Sequence, residues 1–389
     1  MLLIKFKKMI KGALSLGKEL LATRWSLALI FTLGGLFIQG NETMSNMQQA
    51  SIFVMCGLGL VPIAKMLSEI VELLVDKLGP RLGGLASICL GNLVEIIISL
   101  SALKSGLYDI LVISIVGAVI TNCLPILGIS TIVAGRNRPT FSIHPYATSL
   151  QSQQLVISAV LFALPTVFHK VGKTHSGGSI LFDQISLYSV IVSIIILAYY
   201  ILSYVYQAGT AQSLYLSEPD PGAINEEKSL EKTGTKKYRI GSIFIVLILV
   251  TFALAGVSEN LVNSLEHIVK VNNLSPIFAG LFLLPIFGAF AEGLIGIRAA
   301  LNDKMDLALA ISVESSAQLM LFVLPLMVLV GLPMGRYLHL AVPYTALFCL
   351  GATVMAVRWT TENKKLSWYE GFTLITLYVV MGVGVLLLF

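Results

Sequence analysis

The sequence predicts an all-α polytopic membrane protein with about 11 transmembrane helices, and two observations carry this prediction. Of the 389 residues, 56% are hydrophobic and 12% are charged, whereas about a quarter of the residues in soluble domains are charged. Apolar runs also recur with lengths near the roughly 20 residues that cross a hydrocarbon layer. We place the spans at residues 25–39, 50–75, 83–103, 108–134, 150–168, 185–206, 240–262, 276–300, 306–331, 338–357 and 368–388.

The orientation of these spans follows from the basic residues in the segments between them. Residues 1–49 are predicted to form a basic N-terminal arm and the first span. With the N-terminus in the cytoplasm, 19 of the 26 Lys and Arg residues fall on inward segments and 5 fall on outward segments. Loops rich in Lys and Arg stay on the cytoplasmic side. The sequence therefore predicts a cytoplasmic N-terminus and an outward C-terminus.

The spans after the first divide into two groups of equal size. Spans 2–6 occupy residues 50–207 and spans 7–11 occupy residues 240–389, with a polar linker, residues 208–239, between them. An odd number of spans per group inverts the second copy relative to the first, as in transporters that bind substrate at the repeat interface. We predict two inverted five-helix repeats joined by a solvated cytoplasmic connector.

Each repeat carries a glutamate in the middle of an apolar span. Glu95 follows Gly91 and Asn92 in the third span, and Glu292 follows Gly288 at the same spacing in the eighth. An ionised carboxylate in hydrocarbon costs at least a few kcal/mol. Two glutamates at matching places in the two repeats therefore indicate ion-binding sites. The alternative for each glutamate is a structural role, in which its side chain hydrogen-bonds to a neighbouring helix.

The residues around the two glutamates favour a cation with oxygen ligands. Calcium takes six to eight oxygens from carboxylates, amides and backbone carbonyls. Asn92 supplies an amide oxygen, and helices weakened at Gly91, Pro285 and Gly288 are expected to free their carbonyls.

Further polar residues lie on neighbouring spans. Glu72 precedes Glu95 on the second span and is a candidate for the access route to its half of the site. Asn122 and Gln318 lie on the spans that follow each glutamate. They either supply amide oxygens to the ion or hold helices together. Lys65 and Glu69 are four residues apart and are expected to neutralise one another.

Short sequence fragments along both halves form a further pattern. They are Gly83-Gly84-Leu85, Gly91 to Ile97, Val257-Ser258-Glu259, Leu284-Pro285, 303–309, Ser315-Ser316-Ala317-Gln318 and 367–371. Taken together, these fragments resemble the calcium/proton exchangers, a branch of the calcium/cation antiporters. The resemblance covers about residues 50–389 and implies an eleven-span fold with two inverted repeats. It also implies exchange of a cytosolic divalent cation, usually Ca²⁺, for protons at the two glutamates.

The second half departs from the family pattern at several positions. The second signature normally reads Gly-Asn-Ala-Ala-Glu-His, whereas residues 288–293 here keep Glu292 and lack the Asn and His. Arg298 and Glu314 stand where the family has a threonine and a glycine. A guanidinium in hydrocarbon needs a carboxylate, so we predict an ion pair between these two residues. The rival interpretation is that Arg298 acts as a tethered cation.

Three functional classes follow from this reading. The first is a secondary antiporter with Ca²⁺ as the transported ion and H⁺ as the counter-ion, without a cofactor. Its alternatives are an exchanger of Mn²⁺, Na⁺ or K⁺ and a non-transporting membrane scaffold or sensor. An enzyme is disfavoured because the sequence lacks HExxH, GxSxG and P-loop motifs.

The expected partners and location complete the prediction. Membrane lipid and small inorganic cations are the predicted partners, and no nucleic acid is expected. Short loops favour a prokaryotic inner membrane, with a vacuolar membrane as the alternative.

Overall fold

The structure is a computed structural model that describes residues 11–18, 20, 29–38, 46–138, 140–175, 182–209, 238–271 and 274–388. In this part of the chain nearly all regular structure is helical, as the sequence predicts. The α-helices are α1 Leu29–Phe37, α2 Asn46–Gly91, α3 Leu93–Lys104, α4 Tyr108–Thr121, α5 Leu127–Ala134, α6 Pro145–His175, α7 Phe182–Gly209, α8 Ile240–Val271, α9 Pro276–Phe278, α10 Leu284–Leu301, α11 Met305–Leu309, α12 Ser315–Gln318, α13 Leu324–Gly331, α14 Tyr344–Thr360 and α15 Trp368–Leu388.

Several of these helices continue into one another through five-residue π-helical segments. A π-turn inserts one residue into an α-helix and is found mostly at functional sites. Such segments join α4 to α5, α9 to α10, α11 to α12 and α12 to α13. They cover Asn122–Ile126, Ala279–Leu283, Ala310–Glu314 and Leu319–Val323.

Seven helices in the described part of the chain are long and apolar enough to cross a membrane. A bent pair, Pro276–Phe290 with Glu292–Leu301, is an eighth candidate. Three predicted spans correspond to helices that are shorter than predicted in the described part of the chain. Helix α1, in the predicted span 25–39, has 9 residues, and α3, in the predicted span 83–103, has 12. Helix α14, in the predicted span 338–357, begins only after Pro343. The seven are Met47–Gly79, Tyr108–Ala134, Pro145–His169, Ile185–Gln207, Ile240–Val271, Met305–Gly331 and Trp368–Leu388.

The long helix α2 is bent at one residue. Gly79 has a φ of 75° and a ψ of 178°, outside the helical region. Glycine adopts a positive φ without a steric penalty, and the proline that follows disfavours a helical conformation in the residue before it. The first apolar part of α2 therefore ends at Gly79, and the segment that leads to Glu95 begins after it.

The chain forms two compact units. Unit 1 comprises residues 1–98 and 216–267, and unit 2 comprises residues 99–215 and 268–389. In unit 1, the Thr32 hydroxyl donates to the Gly59 carbonyl at 2.8 Å and the Asn260 amide donates to the Gly35 carbonyl at 2.6 Å. These bonds join α1 to α2 and α8, as polar side chains do between helices in lipid. On α2, Lys65 Nζ lies 3.8 Å from Glu69 Oε1, which confirms that predicted ion pair.

Unit 2 is built around α4, whose side chains are buried along nearly its whole length. A Cβ atom added to Gly117 would lie 2.5 Å from the Leu281 carbonyl oxygen. Only glycine fits there, because the backbone of the π-helical segment before α10 runs directly against α4. Two short strands, β1 Phe141–Ser142 and β2 Lys365–Leu366, pair antiparallel and join the loop before α6 to the loop before α15.

Two predicted regions fall mainly outside the described residues. The basic arm is described only at residues 11–18 and 20. Of the polar linker 208–239, residues 210–237 lie outside the described part of the chain.

Candidate functional site

Glu292 lies on α10, directly after a change in helix direction. The segments Pro276–Phe290 and Glu292–Leu301 meet at an angle of 61°. Gly288 lies within the first of these segments, and Pro285 occupies one of the first two positions of α10. Helix α10 continues from α9 through the π-helical segment Ala279–Leu283, so Pro285 lies inside a continuous helix, where its missing N–H group removes a backbone hydrogen bond. The helix is distorted just before Pro285, and the larger change of direction follows Gly288, next to the carboxylate.

The carboxylate of Glu292 is held by two side chains from other segments of unit 2. The Asn122 amide donates to Glu292 Oε2 at 3.2 Å, and the Ser315 hydroxyl donates to the same oxygen at 3.0 Å. Glu292 itself is half-buried. The structure therefore brings together Asn122 and Glu292, which are 170 residues apart in sequence.

Both partners of Glu292 lie at the ends of π-helical segments. Asn122 is the first residue of the segment that contains Pro125, and Ser315 directly follows the segment Ala310–Glu314. The extra residue in a π-turn rotates the side chains that follow it relative to those before it. Local distortion of the two helices thus accompanies the convergence of an amide and a hydroxyl on one carboxylate.

Several polar atoms in the same part of unit 2 are buried without a hydrogen-bond partner. They include Oδ1 of Asn122 and the hydroxyl oxygen of Ser312. A buried polar atom without a partner costs about 1–3 kcal/mol, and ordered water or a bound ion usually satisfies such atoms. Asn122 is the informative case, because its N–H group binds the carboxylate while its oxygen lacks a partner.

The surroundings of Glu95 in unit 1 have a different local structure. Helix α2 ends at Gly91, Asn92 forms a turn, and α3 begins at Leu93. Glu95 is therefore in the first turn of α3 and is 8% exposed, while Asn92 is 1% exposed. The first N–H groups of a helix carry a partial positive charge that stabilises a carboxylate. The helix weakening predicted at Gly91 and Asn92 is present as a one-residue turn at Asn92, and the Ile96 N–H group still donates to the Asn92 carbonyl at 3.0 Å.

Two other predicted site residues have their own surroundings. Glu72 is exposed on α2, with Glu69 and Asp76 as its acidic neighbours. The Gln318 side chain is hydrogen-bonded to Glu314.

The predicted ion pair between Arg298 and Glu314 does not form. Arg298 is exposed in the last turn of α10, and among the described residues no carboxylate lies within 4.0 Å of it. A long basic side chain near the end of a span reaches the interface and needs no buried partner. Glu314, half-buried in a π-helical segment, takes the Gln318 amide instead.

Sequence reasoning did not single out Ser315 as a partner of Glu292, because it recognised this residue only within the matching fragment Ser315-Ser316-Ala317-Gln318. Within the described ranges, no three His, Cys, Asp or Glu side chains lie close enough together to hold a metal ion. The groups that meet at Glu292 are a carboxylate, an amide and a hydroxyl, whose oxygens suit hard cations such as Ca²⁺.

Comparison with known proteins identifies the class of protein. The profile of the family described as "Sodium/calcium exchanger protein" matches residues 49–209 and 242–387. The chain belongs to this family of multi-pass membrane transporters.

Individual relatives match over most of their length. The chain is 30% identical to a "Ca(2+)/H(+) antiporter" of Aphanothece halophytica, over 86% of this chain and 90% of the relative. It is 31% identical to the "Ca(2+)/H(+) antiporter ChaA" of Bacillus subtilis, over 87% and 93%. The solved structure of native YfkE is similar with a TM-score of 0.70 and 25% identity, covering 95% of this chain and 98% of YfkE.

Proposed function

We propose that this protein is a secondary antiporter that exchanges cytosolic Ca²⁺ for H⁺ by alternating access. The observation that carries the proposal is the cluster of oxygen-bearing side chains at Glu292, where the Asn122 amide and the Ser315 hydroxyl both hydrogen-bond to one carboxylate oxygen. The family membership and the relatives named as Ca²⁺/H⁺ antiporters support it.

Under this proposal the chemistry is a competition for carboxylates. With Ca²⁺ present, Glu292 and Glu95 supply negative charge, and Asn122 and Ser315 turn their oxygens toward the ion. When the ion leaves, two ionised carboxylates in hydrocarbon become costly, so each takes up one proton and the two protons replace the charge of Ca²⁺. Occupied and protonated forms are both nearly neutral, and only such forms cross between the inward and outward states.

The proposed architecture has eleven spans, an N-terminal helix followed by inverted repeats at residues 50–207 and 240–389. It has a cytoplasmic N-terminus, a cytoplasmic linker at 208–239, and Glu95 and Glu292 acting on the same ion near the membrane centre. The helix interruption directly before each glutamate supports this arrangement, because discontinuous helices form the sites of inverted-repeat transporters. The bacterial relatives support a prokaryotic inner membrane.

The direct test is transport by the purified protein in proteoliposomes. An imposed pH gradient should drive uptake of ⁴⁵Ca²⁺, and collapse of the gradient should stop it. Competing Mn²⁺, Na⁺ and K⁺ would identify the preferred ion. Correctly folded protein that moves none of these ions would contradict the proposal and support the scaffold interpretation.

A further inference from the structure

Three loops of unit 2 come together at the ends of its helices. Phe141 pairs with Leu366, and the Ile143 N–H group donates to the Lys364 carbonyl at 3.1 Å, so the loop before α6 lies on the loop before α15. Arg138 forms a 3.0 Å ion pair with Asp303, which joins the loop between α10 and α11. We call the resulting surface the basic face, because it carries Arg136, Arg138, Lys304, Arg358, Lys364 and Lys365.

Most acidic groups on the basic face are engaged in local bonds. Asp303 pairs with Arg138, and Asp306 Oδ1 accepts a hydrogen bond from the His144 N–H group at 2.7 Å. Glu370 accepts one from the Ser367 N–H group at 2.8 Å. Among the described residues of these three loops, the exposed Glu362 is the remaining carboxylate.

The basic groups exceed what these carboxylates neutralise. Arg136, Lys304 and Lys365 are exposed, and within the described residues none of them forms an ion pair. The surface therefore keeps an excess of positive charge.

Lys364 is the half-buried lysine of the basic face. Its backbone has a positive φ of 56°. Burial lowers the pKa of Lys364, the positive charge of Arg358 lowers it further, and Glu362 offsets only part of this. An added anion would relieve the repulsion between the two cations.

Exposed aromatic rings surround the same loops. Trp359, Trp368 and Tyr369 are 64%, 52% and 63% exposed, and the last two rings meet edge to face with centroids 6.2 Å apart. A Cβ atom added to Gly135 would lie 2.7 Å from the Trp368 backbone nitrogen. The backbone at Gly135 is therefore in close contact with the start of α15, and Arg136 is the next residue in the chain. Tryptophan and tyrosine are enriched at the level of lipid headgroups. The basic groups therefore lie at the depth where phosphate groups of lipids are found.

We propose that the basic face binds the phosphate headgroup of an anionic phospholipid. The lysine and arginine side chains supply charge-assisted hydrogen bonds to the phosphate oxygens. The aromatic rings pack against the glycerol and the upper acyl chains. The paired strands hold the three loops in a fixed arrangement, so the site exists before the lipid arrives.

The test compares two triple variants of the full-length protein in detergent micelles that contain phosphatidylglycerol or phosphatidylcholine. The first variant is Arg136→Gln/Lys364→Gln/Lys365→Gln. The matched control, Lys104→Gln/Lys270→Gln/Arg336→Gln, removes three positive charges from the opposite ends of the spans. Native mass spectrometry counts the retained lipid, and thermal unfolding measures the stabilisation that each lipid gives.

We expect phosphatidylglycerol to bind wild type and control within twofold of each other. Each charge removed from the basic face should weaken binding about fivefold, and the triple variant about a hundredfold. If the triple variant folds poorly, the single variant Lys365→Gln, at an exposed position, replaces it and should bind phosphatidylglycerol about fivefold more weakly than wild type. Unchanged phosphatidylglycerol binding in these variants would overturn the proposal. Equal stabilisation by inorganic phosphate at the same concentration would overturn the assignment to a lipid.

Discussion

The two glutamates occupy similar places in sequence and different local structures. Glu95 follows a one-residue turn at Asn92 and lies in the first turn of α3. Glu292 lies within α10, after a bend, and is held by side chains from two π-distorted helices. One sequence spacing, a glycine four residues before a glutamate, thus accompanies two ways of interrupting a helix.

The largest effects should come from removing either charge. Glu292→Gln and Glu95→Gln should each lower pH-driven ⁴⁵Ca²⁺ uptake by about a hundredfold or more, because an amide neither balances the cation nor takes up its proton. The double variant should be no worse than either single one if both carboxylates act on one ion. Glu362→Gln, which changes an exposed loop carboxylate, is the control. Retention of half the wild-type uptake by one variant would show that the corresponding glutamate is structural.

The partners of Glu292 should have a smaller effect. Ser315→Ala and Asn122→Ala should each weaken apparent Ca²⁺ affinity about tenfold, since each removes an oxygen that the proposed mechanism turns toward the ion. Concentration dependence of uptake in proteoliposomes measures this. Thr353→Ala is a matched control, because that buried hydroxyl donates only to the Cys349 carbonyl on its own helix, at 2.8 Å. Affinity unchanged in both variants would mean that these contacts only orient the helices.

Sequence reasoning predicted the features that depend on local composition. The apolar runs predicted a helical membrane protein, and Gly91 with Asn92 predicted the break before Glu95. Asn122 was identified as a candidate because an amide in an apolar span requires a partner. The role of Ser315 was missed, because its approach to Glu292 depends on a π-turn that periodicity does not reveal.

One prediction failed because it assumed a buried side chain. The Arg298 pairing rested on a guanidinium held within the span, whereas Arg298 is exposed in the last turn of α10. The weakening expected at Pro285 and Gly288 coincides with the π-helical segment before Pro285 and with the bend after Gly288.

Double-mutant cycles would test which side chains interact with Glu314 in the second half of the chain. Arg298→Ala and Glu314→Ala should lower the free energy of unfolding additively, with a coupling below about 0.5 kcal/mol, because the two side chains do not interact. Glu314→Ala with Gln318→Ala should show a larger coupling, since these side chains share a hydrogen bond. Thermal or denaturant unfolding in detergent gives both values. A coupling above about 1 kcal/mol between Arg298 and Glu314 would show that the two side chains do form an ion pair.

The smallest effects concern the glycines beside each glutamate. A Cβ atom at Gly91 meets no atom within 4 Å, whereas one at Gly293 would lie 2.9 Å from Ile126 Cδ1. Gly91→Ala should therefore change the free energy of unfolding by less than about 0.5 kcal/mol. Gly293→Ala should lower it by about 1 kcal/mol, because Ile126 must move. The reverse order of stabilities would show that the break before Glu95 requires a glycine.

The π-helical segments let the chain carry an extra residue without changing the face on which the following side chains lie. Each π-turn holds one residue more than an α-turn, so the five residues of Ala310–Glu314 turn through about the angle that four residues of an α-helix cover. Deleting a single residue there would convert the turn to an α-turn and leave Ser315 facing Glu292. A one-residue gap in an alignment at this place is therefore compatible with the same hydroxyl at the carboxylate, whereas an α-turn formed without a deletion would rotate Ser315 by about 100°.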